Sequence, residues 1–225
     1  MSHNISVSTA DRADVLAFLG SRGELSENRQ RVLGTIREQA EAHQRDLDRQ
    51  RAVSGQPARS EHERLTIPDA LDHLLDGHAD SEAEAAGNAY NAALQHVIAC
   101  NGSDPDHLGT YSAPSRFFGL VDDAMRGLGV PADLLPGSYL YTGPPTEIPF
   151  SIPSSVDGYP AIGHLPLAKA KAAADAYRAV VDRLDHDFRY DVQVLIETLE
   201  YEHKEWTESQ DSDWYSQDTI FFSLT

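Results

Sequence analysis

The stretch Thr219-Ile220-Phe221-Phe222-Ser223-Leu224 decides the fold class. It is too apolar to remain an exposed sheet edge, so it reads as a strand paired inside a small sheet. Candidate neighbours lie far upstream. Ile5-Ser6-Val7-Ser8-Thr9 alternates apolar and polar, as a strand with one solvated face does. Ser138-Tyr139-Leu140-Tyr141-Thr142 reads as a further, central strand. Most of the remaining chain carries helical periodicity. The expectation is an α+β fold, predominantly helical, with a small sheet built from N-terminal, central (138–142) and C-terminal strands.

The helices follow from apolar spacing and from their caps. A short one runs from Asp11 to Leu19 and closes at Gly20, with Ser8 and Asp11 at capping-box spacing. A long one from Ser26 to about Arg51 places Leu33, Ile36, Ala40, His43 and Leu47 on one stripe, with its other faces solvated. Val53-Ser54-Gly55-Gln56-Pro57-Ala58 reads as a linker. It divides a possible N-terminal helical subregion, 1–58, from a main body, 59–225, within a single domain. Further helices are expected over 68–75 and from Ser81, a capping residue with Glu84 three positions on, to Cys100. Residues 101–112 read as loop. Pro114 opens a helix that buries Phe117, Phe118, Val121, Met125 and Leu128. Two more run from Leu167 to Leu184 and from Phe188 to Trp206.

Charge is distributed unevenly over the 225 residues. Residues 1–64 hold 10 Arg against 10 Asp/Glu, so the formal net charge of −18 resides wholly in residues 65–225. A field of that sign repels nucleic acid, anionic lipid and nucleotides, and attracts cationic proteins or metal ions. Cys100 is the only cysteine, which excludes an intrachain disulfide and Cys-rich zinc sites. No charged leader with an apolar run stands at Met1-Ser2-His3-Asn4, and no stretch reaches the roughly 20 apolar residues that span a bilayer. A cytoplasmic protein with no membrane and no nucleic-acid partner is the expectation.

The segment from Gly143 to Pro166 is punctuated by Pro and Gly and is long for a loop in a compact domain. It contains Asp157-Gly158-Tyr159-Pro160-Ala161-Ile162-Gly163-His164-Leu165. Together with Gly143-Pro144-Pro145, Ile148-Pro149, Trp206 and Ile220-Phe221-Phe222, this resembles an uncharacterised bacterial domain family of unknown function. The family's core reads Asp-Phe-Pro-x-Ile-Gly-x-Leu, followed by an amphipathic helix, a tryptophan-bearing helix and a hydrophobic final strand. Here Gly158 intervenes between the acid and the aromatic residue. Val121-Asp122-Asp123-Ala124 and Leu128-Gly129-Val130 are also similar, and His73-Leu74-Leu75-Asp76-Gly77 has a distant likeness to the YfbM-like family. The resemblance implies a mixed α+β fold and carries no activity.

Chemistry-bearing residues group in several places. Asp69, His73 and Asp76 share one face of a helix, the spacing a weak metal site would use. Glu200-x-x-His203 has the spacing of di-iron bundles but no second copy, and His96 and Cys100 are four apart. The sequence has no G-x-S-x-G, Walker A, G-x-G-x-x-G or H-E-x-x-H, and no cofactor is expected. Residues 191–218 hold nine acids against Lys204 alone, interleaved with Tyr201, Trp206, Trp214 and Tyr215. Acid mixed with large aromatics suits docking of a basic protein, through Glu202, Glu205, Trp206 and Trp214. The reading is therefore an immunity- or inhibitor-like binding module for a cationic partner. The alternative is an enzyme or small-molecule binder using the 143–166 loop, with Tyr141, Tyr159 and His164 in its pocket.

Overall fold

The computed structural model describes residues 2–21, 24–55, 64–212 and 215–225. Trp214, one of the residues expected to bind a partner, lies outside them, as does the end of the expected linker, Gln56-Pro57-Ala58. The chain forms two compact units. The first takes in residues 1–12, 102–143 and 162–225, the second residues 13–101 and 144–161.

The first unit is built on a four-stranded antiparallel sheet in the order β2-β1-β4-β3: β1 is His3–Ala10, β2 Asp106–Tyr111, β3 Ala161–Pro166 and β4 Thr219–Leu224. β4 is an inner strand, in register with β1 from Ile5↔Leu224 to Ala10↔Thr219. Ile220, Phe221, Phe222 and Leu224 are wholly buried. Full burial of each such side chain contributes about 1.5–3 kcal/mol, which is why this hexapeptide cannot be an edge. Helices α5 (Pro114–Gly127), α6 (Gly137–Leu140), α7 (Leu167–Arg178) and α8 (His186–Glu208) complete the unit. α5 buries Phe118, Val121 and Met125, and α8 buries Val192, Leu195, Ile196 and Leu199.

Three expectations are corrected in this unit. Residues 138–142 are not a strand. Gly137 to Leu140 form one helical turn, whose first backbone N–H, at Gly137, donates to the Asp122 carboxylate at 3.1 and 3.2 Å. The central strands lie elsewhere, at β2 within the expected 101–112 loop and at β3 within the expected 143–166 loop. The 167–184 helix is also shorter than its periodicity: α7 stops at Arg178 and a 3-10 turn covers Val181–Arg183. Gly163 in β3 is a forced choice. A Cβ there would stand 2.1 Å from the Tyr139 carbonyl oxygen and 2.4 Å from that of Leu140, so only glycine fits.

The second unit is helical: α1 (Arg12–Leu16), α2 (Glu27–Val53), α3 (Ile67–Asp76) and α4 (Ala86–Asn101). Ser26 caps α2 by accepting from the Arg29 N–H, and Thr66 caps α3 by accepting from the Asp69 N–H. Gly77, at φ 87°, ends α3 in the left-handed conformation. α4 starts five residues after the expected cap at Ser81, because Ala85 is left-handed (φ 58°) and interrupts the helix before it.

The Pro-rich segment 144–161 is laced to α4 by side-chain amides. Asn88 donates to the Tyr159 carbonyl at 3.0 Å, Asn91 to that of Pro153 at 3.1 Å and Gln95 to that of Ala161 at 2.8 Å. At Gly87 a Cβ would stand 2.1 Å from the Ser154 carbonyl oxygen. Asp157 and Gly158 are both left-handed, at φ 60° and 78°, so the inserted glycine completes a tight turn. No helix among the described residues is long and apolar enough to cross a membrane.

Candidate functional site

On α8 the buried positions Val192, Leu195, Leu199 and Glu202 recur at three- and four-residue spacing. Glu202 thus occupies a place where the helical period calls for an apolar side chain. It is 8% exposed. No described residue donates a hydrogen bond to it, and no described Lys or Arg pairs with it. A carboxylate so placed is costly to charge. Burial, then the neighbouring charges of Asp106 and Glu205, raise its pKa to about 7.

The cavity that Glu202 enters has a volume of about 400 Å³ and opens to solvent. Its walls are Glu197, Thr198, Tyr201 and Glu202 of α8, Asp106, His107 and Leu108 of β2, and Val7 of β1. Three consecutive residues of one regular strand would not line one cavity, since side chains alternate faces. β2 is irregular there. Its pairing with β1 steps from Ile5↔Gly109 to Ser6↔His107, leaving Leu108 without a partner as a bulge. The bulge lets Leu108 join Asp106 and His107 in the cavity wall.

α8 is held over β2 by the Tyr111 hydroxyl, which donates to Asp191 at 2.7 Å, and against α5 by the edge-on pair Phe117–Phe188 at 5.8 Å. Burial and the Asp191 carboxylate push the Tyr111 phenol far up, so it remains a donor.

Arg178 of α7 and Lys204 of α8 are engaged with other acids. Arg178 grips Glu200 through two bonds, at 3.0 and 2.5 Å, and Lys204 stands 3.8 Å from Glu208. Among the described residues no Lys or Arg is ion-paired with Asp106, Glu202 or Glu205, and Arg178, paired with Glu200, lies within electrostatic reach of Glu197. Tyr215, whose pKa is raised by burial and then by Glu202 and Glu205, stands close to these carboxylates. The arrangement is a negatively charged cavity with an apolar lower wall and one exposed aromatic ring, Tyr201, at 57% exposure.

The residues singled out from sequence fall as follows. Glu202 is buried and belongs to the cavity, whereas Glu205 and Trp206 are half-buried beside it on α8. Trp206 packs edge-on against His203 at 5.5 Å. Tyr141 and His164 belong to the first unit and Tyr159 to the second. His164 has its Nδ1 at 3.0 Å from the Thr142 hydroxyl and 3.2 Å from the Gly143 carbonyl. None of the three lines the α8–β2 cavity. Asp69 is used in the cap of α3, His73 meets the Tyr90 hydroxyl at 2.8 Å, and Asp76 is exposed. Among the described residues no three His, Cys, Asp or Glu side chains are grouped to hold a metal ion.

Two features were not legible beforehand. One is the contribution of Asp106 and His107, hidden because residues 106–111 lack strand-like apolar alternation. The other lies in the second unit, where His43 Nδ1 and His96 Nε2 are 3.1 Å apart across α2 and α4. Burial lowers both pKa values, that of His96 to about 4 with a smaller push from His43. Cys100, one turn from His96, is half-buried with its thiol pKa raised by burial, which makes it unreactive.

A family model described as a domain of unknown function (DUF7691) matches residues 1–223. No curated protein and no solved structure is significantly similar to the chain.

Proposed function

We propose, for a chain that belongs to the DUF7691 family of unknown function, that it is a protein-binding module whose acidic α8 face receives a cationic protein partner. The role is inhibitor- or immunity-like: it caps the partner's basic surface rather than transforming a substrate. The observation that carries this reading is Glu202, a carboxyl 8% exposed in a cavity with Asp106 and Glu197 and with no described cation opposite. Burying such a group lowers stability. A partner that supplies the missing positive charge recovers that loss on binding.

The charge pattern acts at longer range. The net charge of −18 steers a basic protein toward α8 before contact, and the same field turns away nucleic acid and anionic membranes. Half-buried Trp206 and exposed Tyr201 add aromatic area of the kind that anchors interfaces.

The test is capture of partners from native lysate on the tagged full-length chain, followed by association kinetics with the purified partner at rising salt. The expected result is one basic protein, with an association rate that falls roughly tenfold or more from low to moderate salt. A rate insensitive to salt, or unaltered by Glu205→Gln with Trp206→Ala, overturns the reading.

A further inference from the structure

We propose that the α8–β2 cavity is a receptor for a single guanidinium group, an arginine side chain carried by the protein partner. Glu202 and Asp106 are its carboxylate acceptors and the Tyr201 ring its stacking face. This rests on the docking reading above and names the chemistry that the docking surface recognises.

Several features select guanidinium over other cations. The cavity, about 400 Å³, joins an apolar wall (Val7, Leu108) to acidic groups, which matches a three-carbon stem ending in a planar cation. Guanidinium is more weakly hydrated than ammonium, so entering a cavity beside the largely buried Glu202 costs it less. Its fork of donors can serve two carboxylates together, and its flat face can lie on an exposed tyrosine. A lysine ammonium, a compact and strongly hydrated point charge, offers neither a planar fork nor a flat face. A hard divalent ion needs converging oxygens, and no three metal-binding side chains are so grouped among the described residues.

Binding is coupled to protons. Glu202 is faced by Glu197, Tyr201 and Glu205 of its own helix, by Asp106 and His107 of β2, and by Tyr215. With its pKa near 7, Glu202 carries a proton at slightly acidic pH that a guanidinium must displace. Affinity therefore rises with pH, by about tenfold between about pH 6 and 8.

The experiment is calorimetric titration of the full-length chain with N-acetyl-arginine methylamide, with the lysine and citrulline counterparts as controls. The arginine compound is expected to bind in about the millimolar range. The lysine compound should bind several-fold more weakly, and the uncharged citrulline compound not measurably. Glu202→Gln should cost at least tenfold and abolish the pH dependence. Asp106→Asn, a milder change on another element, should cost severalfold while keeping part of the pH dependence.

Citrulline binding as well as arginine, lysine binding as tightly, or unchanged affinity in both variants overturns the proposal. The two readings separate cleanly. Capture of a basic partner together with no binding of the arginine compound overturns the receptor and leaves the docking surface. Binding of the arginine compound with no captured protein supports the receptor and overturns the protein partner.

Discussion

Replacing Glu202 by Gln should make the protein more stable at alkaline pH and leave it unchanged in acid. The carboxyl is 8% exposed and its pKa stands at about 7, against 4.5 for the unperturbed group. That difference corresponds to at most roughly 3 kcal/mol. Solvent reaching the open mouth of the cavity screens the interaction, leaving about 1–2 kcal/mol. The sign follows from proton binding. Between the two values the native chain holds a proton that the unfolded chain has lost, so stability falls as pH rises through this window. Above it the full penalty is present, and below it there is none. The neutral amide fills nearly the same volume and never carries the charge. At about pH 8 the variant should therefore gain 1–2 kcal/mol, or roughly 2–8 °C in Tm for a chain of this size. At about pH 4.5 the difference should vanish. Calorimetric melts of both proteins at the two pH values decide the matter. A loss of similar size at both would mean that Glu202 is a structural anchor, and the reasoning would fail.

Other outcomes follow from the same geometry. Gly163→Ala, which sets a methyl 2.1 Å from the Tyr139 carbonyl oxygen, should cost roughly 2–3 kcal/mol, read as a lower denaturant midpoint. The His43–His96 pair should make the fold acid-sensitive. With His96 lowered to about 4 from 6.5, its contribution is complete above 6.5 and is lost as pH falls toward 4. His96→Gln should flatten the slope of stability against pH over that interval in urea titrations. Asn91→Ala removes the donor to the Pro153 carbonyl and should speed limited proteolysis between residues 144 and 161, leaving the α8 cavity's ligand response intact.

The parts of the fold legible in sequence are those whose signal is local. The Ile220-Phe221-Phe222 run could only be an inner strand, and it lies between β1 and β3. The apolar spacing of 188–206 gave α8. What was hidden depends on partners distant in sequence. Asp106-His107-Leu108-Gly109-Thr110-Tyr111 becomes a strand only because β1 supplies its hydrogen bonds and α8 receives Tyr111. Ser138–Thr142, apolar and β-favouring in isolation, winds into a turn because Asp122 caps it at Gly137. The acidic cavity was half-visible. Glu202 and Glu205 stood out by charge, but burial of Glu202 depended on counting it into the Val192-Leu195-Leu199 stripe, and Asp106 gave no sign of being its neighbour.

The most direct test is a carbon-detected NMR titration of the Glu202 side-chain carboxyl, alone and with saturating N-acetyl-arginine methylamide. The free protein should titrate at about 7, and the ligand should draw the midpoint down by at least one unit as guanidinium replaces the proton. A midpoint at the ordinary carboxylate value in the free protein, or one that the ligand leaves in place, would contradict the claim that this buried carboxyl is held ready for a cation.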